Sequence, residues 1–128
     1  MLVVLDYGGG NLKSVVNMLD AFAVPYKLTD RARDVENAGR LIFPGQGHFG
    51  QVMQALTAKG LAEPLRAVIR KGVPFLGICV GLQVLFDSSE EAPGVKGLGL
   101  LKGKNVRFTQ GKVPQIGWNR IKTTAANF

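Results

Sequence analysis

Residues 73–83 read Val-Pro-Phe-Leu-Gly-Ile-Cys-Val-Gly-Leu-Gln, and they are the most informative segment for predicting the fold. Its first half is a continuous apolar run, which predicts a buried strand over Val73–Ile78. A helix is predicted over Val80–Phe86, and Cys79 lies between the two elements with a glycine two residues away on each side. Small residues at those positions let a strand turn sharply into a helix and leave the side chain between them exposed. This is the geometry of a nucleophile elbow.

Cys79 is the only cysteine in the 128 residues. Two roles are open from the sequence: a nucleophile at the turn, or a small buried side chain, since free cysteine is among the most buried residue types. A single cysteine excludes an internal disulfide framework, and the first residues lack the pattern of a secretory signal, so a cytoplasmic location is predicted. No apolar run approaches the roughly 20 residues that a membrane span needs, which predicts a soluble protein without membrane association.

Outward from the elbow, strand and helix patterns alternate along the chain. Apolar residues recur at helical spacing in three segments, which predicts one helix capped by Asn11 and two that end at Gly60 and Gly72. Further strands are predicted at Leu2–Leu5, Pro25–Leu28 and Leu41–Phe43. Strands separated by helices indicate an α/β fold with a doubly wound, mainly parallel, flavodoxin-like sheet, and residues 1–128 are predicted to form a single domain.

The pattern changes after Glu91, where glycines interrupt short segments such as Asn105–Phe108 and Val113–Gly117. These segments predict antiparallel hairpin strands after about residue 98 instead of another crossover. The sequence ends in a polar stretch without a closing helix, so the sheet is expected to be incomplete at its C-terminal end.

The net charge of +7 lies entirely in the last third of the chain, because residues 92–128 contain seven basic side chains and no acidic one. One interpretation is a surface for an acidic partner or a phosphorylated ligand. The other is a set of solvated charges on loops and edge strands. No aromatic side chains interleave with these lysines, which favours the second interpretation and predicts no nucleic-acid binding.

The glycine run at residues 8–10 follows the first strand, and Asp30 lies about 20 residues further on, as in a dinucleotide-binding fingerprint. Lys13, however, stands where the third glycine of that fingerprint permits close packing of helix on strand. A tight turn is therefore the better interpretation, and no cofactor is predicted.

Pro44-Gly45-Gln46-Gly47 follows the third strand, at the edge where parallel sheets place their ligand-binding loops. Its glycines let backbone N–H groups face a ligand, as an oxyanion hole requires. His48, the only histidine, comes next. It is either a base for Cys79 or a surface residue at the start of a helix, and without an orienting carboxylate it makes an incomplete triad. One cysteine and one histidine do not assemble a metal site, so no metal is predicted.

Four segments together resemble the glutaminase subunits of imidazole glycerol phosphate synthase, which are class I, triad-type glutamine amidotransferases of histidine biosynthesis. The resemblance runs from Leu2 to about Asn119, and the segments that carry it are Asp6–Ser14, Pro44–Phe49, Gly77–Gln83 and Pro114–Asn119. It implies an enzyme that hydrolyses glutamine to glutamate and ammonia. The ammonia is channelled to a cyclase subunit, a (β/α)₈ barrel that forms a heterodimer with the glutaminase and makes imidazole glycerol phosphate and aminoimidazole carboxamide ribonucleotide.

The resemblance also implies roles for individual residues. Cys79 is similar in position to the nucleophile, and the backbone N–H groups of Gln46, Gly47 and Val80 to the oxyanion hole. Gly47 and Gln83 match positions that bind the substrate L-glutamine. The residues that match segments facing the cyclase subunit are Asn11, Pro114, Trp118 and Asn119. Trp118 has an alternative role, packing over the edge of the sheet.

One part of the family pattern is absent from the sequence. The family's catalytic histidine and glutamate lie in a His-Pro-Glu segment near the end of a longer chain, and no histidine or glutamate follows Glu91 here. The chain is therefore expected to be inactive by itself. The alternative function is a non-catalytic, amidotransferase-like interaction module.

Overall fold

The computed structural model describes residues 1–122, and this part of the chain contains six strands and five helices. None of these helices is long and apolar enough to cross a membrane. The elements in chain order are β1 (Leu2–Leu5), α1 (Leu12–Ala21), β2 (Tyr26–Thr29), α2 (Ala32–Glu36), β3 (Arg40–Gly45), α3 (Phe49–Ala58), α4 (Ala62–Arg70), β4 (Phe75–Cys79), α5 (Val80–Gln83), β5 (Phe86–Ser89) and β6 (Leu101–Asn105).

The main sheet has four parallel strands in the order β2-β1-β3-β4. The chain leaves β1 in one direction to form β2 and then crosses back to β3 and β4. Right-handed crossovers therefore place α1 on one face of the sheet and α2, α3 and α4 on the other. This arrangement confirms the predicted α/β class and the mainly parallel, doubly wound sheet. The carboxyl ends of β1, β3 and β4 meet at one edge.

The hydrophobic core lies on the face that α2, α3 and α4 cover. Leu5 and Phe43 project from the sheet into it and are fully buried, as are Leu56 of α3 and Leu65 of α4. The predicted caps are also present: the Asn11 side chain accepts a hydrogen bond from the N–H of Ser14, and Gly60 and Gly72 follow α3 and α4 with φ of +66° and +82°.

The opposite face of the sheet is only partly covered in the described part of the chain. Helix α1 has no fully buried residue. The side chains of Leu28, Leu76 and Ile78 are 44%, 53% and 39% exposed. Their register partners in β1 and β3 share this face, since paired residues of parallel strands point the same way.

A polar contact fixes the connection between β2 and α2. The carboxylate of Asp34 accepts hydrogen bonds of 2.6 Å from both the Lys27 ammonium and the Thr29 hydroxyl. These bonds, that from Lys27 first, lower the pKa of Asp34. The short helix α2 is thereby tied to the strand that precedes it.

The prediction of antiparallel hairpin strands after about residue 98 is wrong, because β5 and β6 pair in parallel. Leu98 is buried in the core, and Gly97 lies so close to β5 that an added Cβ would collide with the carbonyl oxygen of Phe86. The chain therefore doubles back alongside β5, and Gly99, with φ of +62°, turns it into β6. The glycines that suggested hairpin turns allow this close return.

One predicted helix boundary and two predicted strands also differ from the structure. Helix α5 ends at Gln83, and Phe86, predicted to lie in that helix, begins β5. Strands are predicted at Asn105–Phe108 and Val113–Gly117, but β6 ends at Asn105 and neither 106–108 nor 113–117 forms a strand. Helix α5 ends early because the carbonyl oxygen of Leu85 accepts hydrogen bonds from the N–H groups of Leu100 and Leu101. These long-range bonds replace the next helical turn.

Three glycines allow the turn from β4 into α5 to pack against β3. A Cβ on Gly77 would lie 2.7 Å from the backbone nitrogen of Leu82, and one on Gly81 would collide with the carbonyl oxygen of Phe43. A Cβ on Gly45 would lie 2.9 Å from the carbonyl carbon of Val80. At all three positions the nearest atoms belong to the backbone. No flexible side chain can therefore move to make room for an added Cβ.

We therefore expect Gly81→Ala to lower the free energy of unfolding by about 1–3 kcal/mol, the usual cost of overpacking, because the methyl group displaces α5 from β3. Urea unfolding followed by circular dichroism measures this. Gly117→Ala is the matched control, since nothing lies within 4 Å of a Cβ added there. Equal stability of the two variants would contradict the packing argument.

Candidate active site

Cys79 ends β4 and has a backbone conformation that side chains rarely adopt, with φ of +56° and ψ of −117°. Among the described residues it shares a positive φ with only one other non-glycine residue, Ala23. The side chain is exposed. The buried structural role that the sequence left open for Cys79 is therefore excluded, and the predicted elbow is present.

The loop after β3 begins directly beside the cysteine, because Gly45 and Cys79 are register partners in the parallel pairing of β3 and β4. Gln46 and Gly47 follow and are exposed. Gly47 has φ of +117°, and an added Cβ there would meet nothing within 4 Å, so the space next to it is open. The structure thus brings the predicted nucleophile and the predicted oxyanion loop to one edge of the sheet.

The backbone donors of this site differ in how they are engaged. The N–H of Gln46 donates to the Tyr7 hydroxyl at 3.1 Å, so this predicted donor already has a partner. The Gly47 N–H donates to no atom within residues 1–122. Val80 begins α5, where an N–H has no partner inside the helix. Of the predicted donors, the Gly47 N–H is therefore the one without a partner among residues 1–122.

Gln83, the predicted substrate-binding side chain, is half-buried at the end of α5. Its carbonyl oxygen accepts a 2.9 Å hydrogen bond from the side-chain amide of Asn105, which also donates to the carbonyl of Ser88 at 3.1 Å. The end of β6 thus fixes the end of α5. Sequence reasoning missed Asn105, because no local pattern relates it to the elbow.

Two side chains define the start of α3, just beyond the oxyanion loop. His48 is the N-cap, and its Nδ1 accepts a 3.2 Å hydrogen bond from the N–H of Gly50. The carboxylate of Glu91 accepts a 2.7 Å bond from the N–H of Phe49. An Nδ1 engaged in capping gives His48 a structural role here, and Glu91 is a second contact that the sequence did not reveal.

The residues predicted to face a partner are all exposed. Asn11 lies at the edge of the sheet that also carries Cys79, since it follows β1. Pro114, Trp118 and Asn119 lie beyond β6 in a segment with neither helix nor strand. The Trp118 side chain is fully exposed, which excludes the alternative that it packs over the sheet.

Three comparisons with known proteins bear on this site. The model of the family "Glutamine amidotransferase class-I" matches residues 3–124. The imidazole glycerol phosphate synthase subunit HisH of Thermus thermophilus is 49% identical over 120 residues, which cover 94% of this chain and 61% of that protein. The subunit of the same name from Deinococcus radiodurans is 49% identical over 124 residues, which cover 94% and 58%. The chain therefore spans about three fifths of the length of these relatives.

A solved structure described as a crystal structure of glutamine amidotransferase matches with a TM-score of 0.71 and 20% identity, over 87% of this chain and 59% of that one. At this identity the likeness shows the fold alone, and it agrees with the sheet described above. The family match covers the elbow, the oxyanion loop and the segment after β6. The chain belongs to the class-I glutamine amidotransferase family.

Proposed function

We propose that this chain carries the nucleophile and the oxyanion-binding loop of a glutaminase. The observation that carries the proposal is the exposed Cys79 at a positive φ, in register with the glycine that opens the loop after β3. An exposed thiol on a strained turn, beside a loop that offers the free N–H of Gly47, suits attack on an amide carbonyl.

In the proposed reaction, Sγ of Cys79 forms a bond to the side-chain amide carbon of glutamine, and the C=O electron pair moves onto oxygen. The N–H groups of Gly47 and Val80 stabilise this oxyanion, each contributing about 3 kcal/mol. The proton that the thiol gives up passes to the amide nitrogen, the oxyanion collapses, and the C–N bond breaks, so ammonia leaves and a thioester remains. Water then cleaves the thioester to give glutamate and the free thiol. Gln83 contacts the bound glutamine.

The general base has no assignment within the 128 residues. The sequence contains one histidine, and that histidine caps α3. This observation supports a second candidate function, a non-catalytic amidotransferase-like module that binds a partner without turnover.

The name of the relatives, imidazole glycerol phosphate synthase subunit HisH, suggests how the ammonia is used. We propose that the chain acts as the glutaminase subunit of imidazole glycerol phosphate synthase, in the cytoplasm and in histidine biosynthesis. Its partner is then a cyclase subunit, the (β/α)₈ barrel of a heterodimer, which takes ammonia through a channel to make imidazole glycerol phosphate and aminoimidazole carboxamide ribonucleotide. The residues proposed to face this partner are Asn11, Pro114, Trp118 and Asn119.

A chloroketone analogue of glutamine tests the substrate class. We expect it to alkylate Cys79 stoichiometrically, because the free N–H of Gly47 in the loop polarises its carbonyl. L-Glutamine is expected to compete with this reaction, and D-glutamine is not. Intact-protein mass spectrometry measures the adduct, and Cys79→Ala abolishes it. Reaction no faster than with a chloroketone that lacks the amino-acid group would reject a glutamine site and favour the non-catalytic module.

The chain by itself is expected to release ammonia from glutamine at the background rate, because its histidine is engaged in capping and proton transfer contributes roughly 10²–10⁴-fold to such reactions. A coupled glutamate assay with and without His48→Ala measures this. Robust turnover that both Cys79→Ala and His48→Ala abolish would reassign His48 as the base.

Trp118→Ala is expected to weaken binding to the cyclase subunit by about 30-fold, as truncation of a central aromatic anchor typically costs 2 kcal/mol or more. Calorimetry with the purified cyclase measures the affinity. Phe22→Ala is the matched control, an exposed aromatic at the end of α1. Equal affinity of both variants would place the interface elsewhere.

A further inference from the structure

Tyr7 lies two residues beyond the end of β1 and contacts the oxyanion loop. Only 4% of it is exposed. Its ring stands edge-on to Phe43, with centroids 5.3 Å apart and planes at 82°. Gly9 lies against the same ring, so closely that a Cβ there would be 2.8 Å from a ring carbon. The ring is therefore held by packing, and its hydroxyl has a fixed position.

The hydroxyl of Tyr7 makes two hydrogen bonds to one residue of the loop. It donates to the carbonyl oxygen of Gln46 at 2.9 Å and accepts from the N–H of Gln46 at 3.1 Å. The two peptide units on either side of Gln46 are thus both held by one oxygen atom, 39 residues away in sequence.

The strand order shows on which side of the loop Tyr7 and Cys79 lie. Strand β3 lies between β1 and β4, so Tyr7 approaches the loop from the side of β1 while Cys79 lies on the side of β4. In a trans peptide the C=O and the following N–H point in opposite directions. Since the Gln46 carbonyl points to Tyr7, the N–H of Gly47 points away from Tyr7, and it is the donor without a partner in residues 1–122.

We propose that Tyr7 is a positioning residue that sets the orientation of the Gln46–Gly47 peptide and so presents the Gly47 N–H as an oxyanion donor, an inference that rests on the proposed glutaminase function. Without the hydroxyl, this peptide is free to rotate. After such a rotation the carbonyl oxygen of Gln46 occupies the position of the Gly47 N–H, and it repels a developing oxyanion.

Tyr7→Phe tests the proposal because it keeps the ring packed on Phe43 and removes only the hydroxyl. Two reagents for Cys79 are compared: the glutamine chloroketone, whose carbonyl gains negative charge during reaction, and iodoacetamide, whose displacement forms no oxyanion. We expect the chloroketone rate to fall by about 10- to 100-fold, somewhat below the roughly 10²–10³-fold cost of deleting a donor, and the iodoacetamide rate to stay unchanged. Tyr26→Phe, at the opposite end of the sheet in β2, is expected to leave both rates unchanged.

Amide hydrogen exchange supplies a readout that needs no reaction. In Tyr7→Phe, the Gln46 amide is expected to exchange at least about 10-fold faster, as for a group that loses its only partner, while amides of β1 and β3 keep their protection. The proposal would be overturned if exchange at Gln46 stayed unchanged, or if the ratio of the chloroketone rate to the iodoacetamide rate did. It would also be overturned if both alkylation rates fell together with a general loss of protection. If the wild-type chain shows no preference for the chloroketone, the glutaminase function fails, and exchange at Gln46 still decides whether Tyr7 holds the loop.

Discussion

The close approach of three backbone segments at Gly45, Gly77 and Gly81 is the constraint on which the rest of the site depends. A β-carbon at any of these positions would occupy space filled by a backbone atom of a neighbouring element. The turn after β4 can therefore rest directly on β3, which puts Cys79 in register with the start of the oxyanion loop. Any separation of these segments would increase the distance between the proposed nucleophile and the proposed oxyanion donors.

The contacts around this centre show why the site lies at one edge of the sheet. Each parallel strand delivers its following loop to the same edge. The segments that follow β3 and β4 are held there by groups from elsewhere in the chain. Tyr7 holds Gln46 from β1, Glu91 caps α3 from the segment after β5, and Asn105 holds the end of α5 from β6. The small second sheet thus stabilises the site without contributing a predicted catalytic group.

The sequence predicts those features of the site that depend on neighbouring residues, and it does not predict contacts between residues far apart in the chain. The elbow at Cys79 and the donors at Gly47 are local, because glycine spacing reports directly on backbone geometry. The bonds from Tyr7, Glu91 and Asn105 connect residues 39, 42 and 22 positions apart, and no periodic pattern encodes them. The parallel pairing of β5 with β6 was missed for the same reason, since it follows from the burial of Leu98.

The positive φ of Cys79 shows how local strain and the core are connected. A non-glycine residue in such a conformation costs on the order of 1–3 kcal/mol and persists only where its surroundings determine it. Here the surroundings are the core itself: Val80 is 4% exposed and Val84 is fully buried, so the chain leaving the elbow cannot relax without withdrawing apolar side chains from the core. Burial of a single valine contributes about 1.5–3 kcal/mol, which equals or exceeds the strain. The exposed thiol that we propose as the nucleophile is therefore kept in its position by buried side chains of the core.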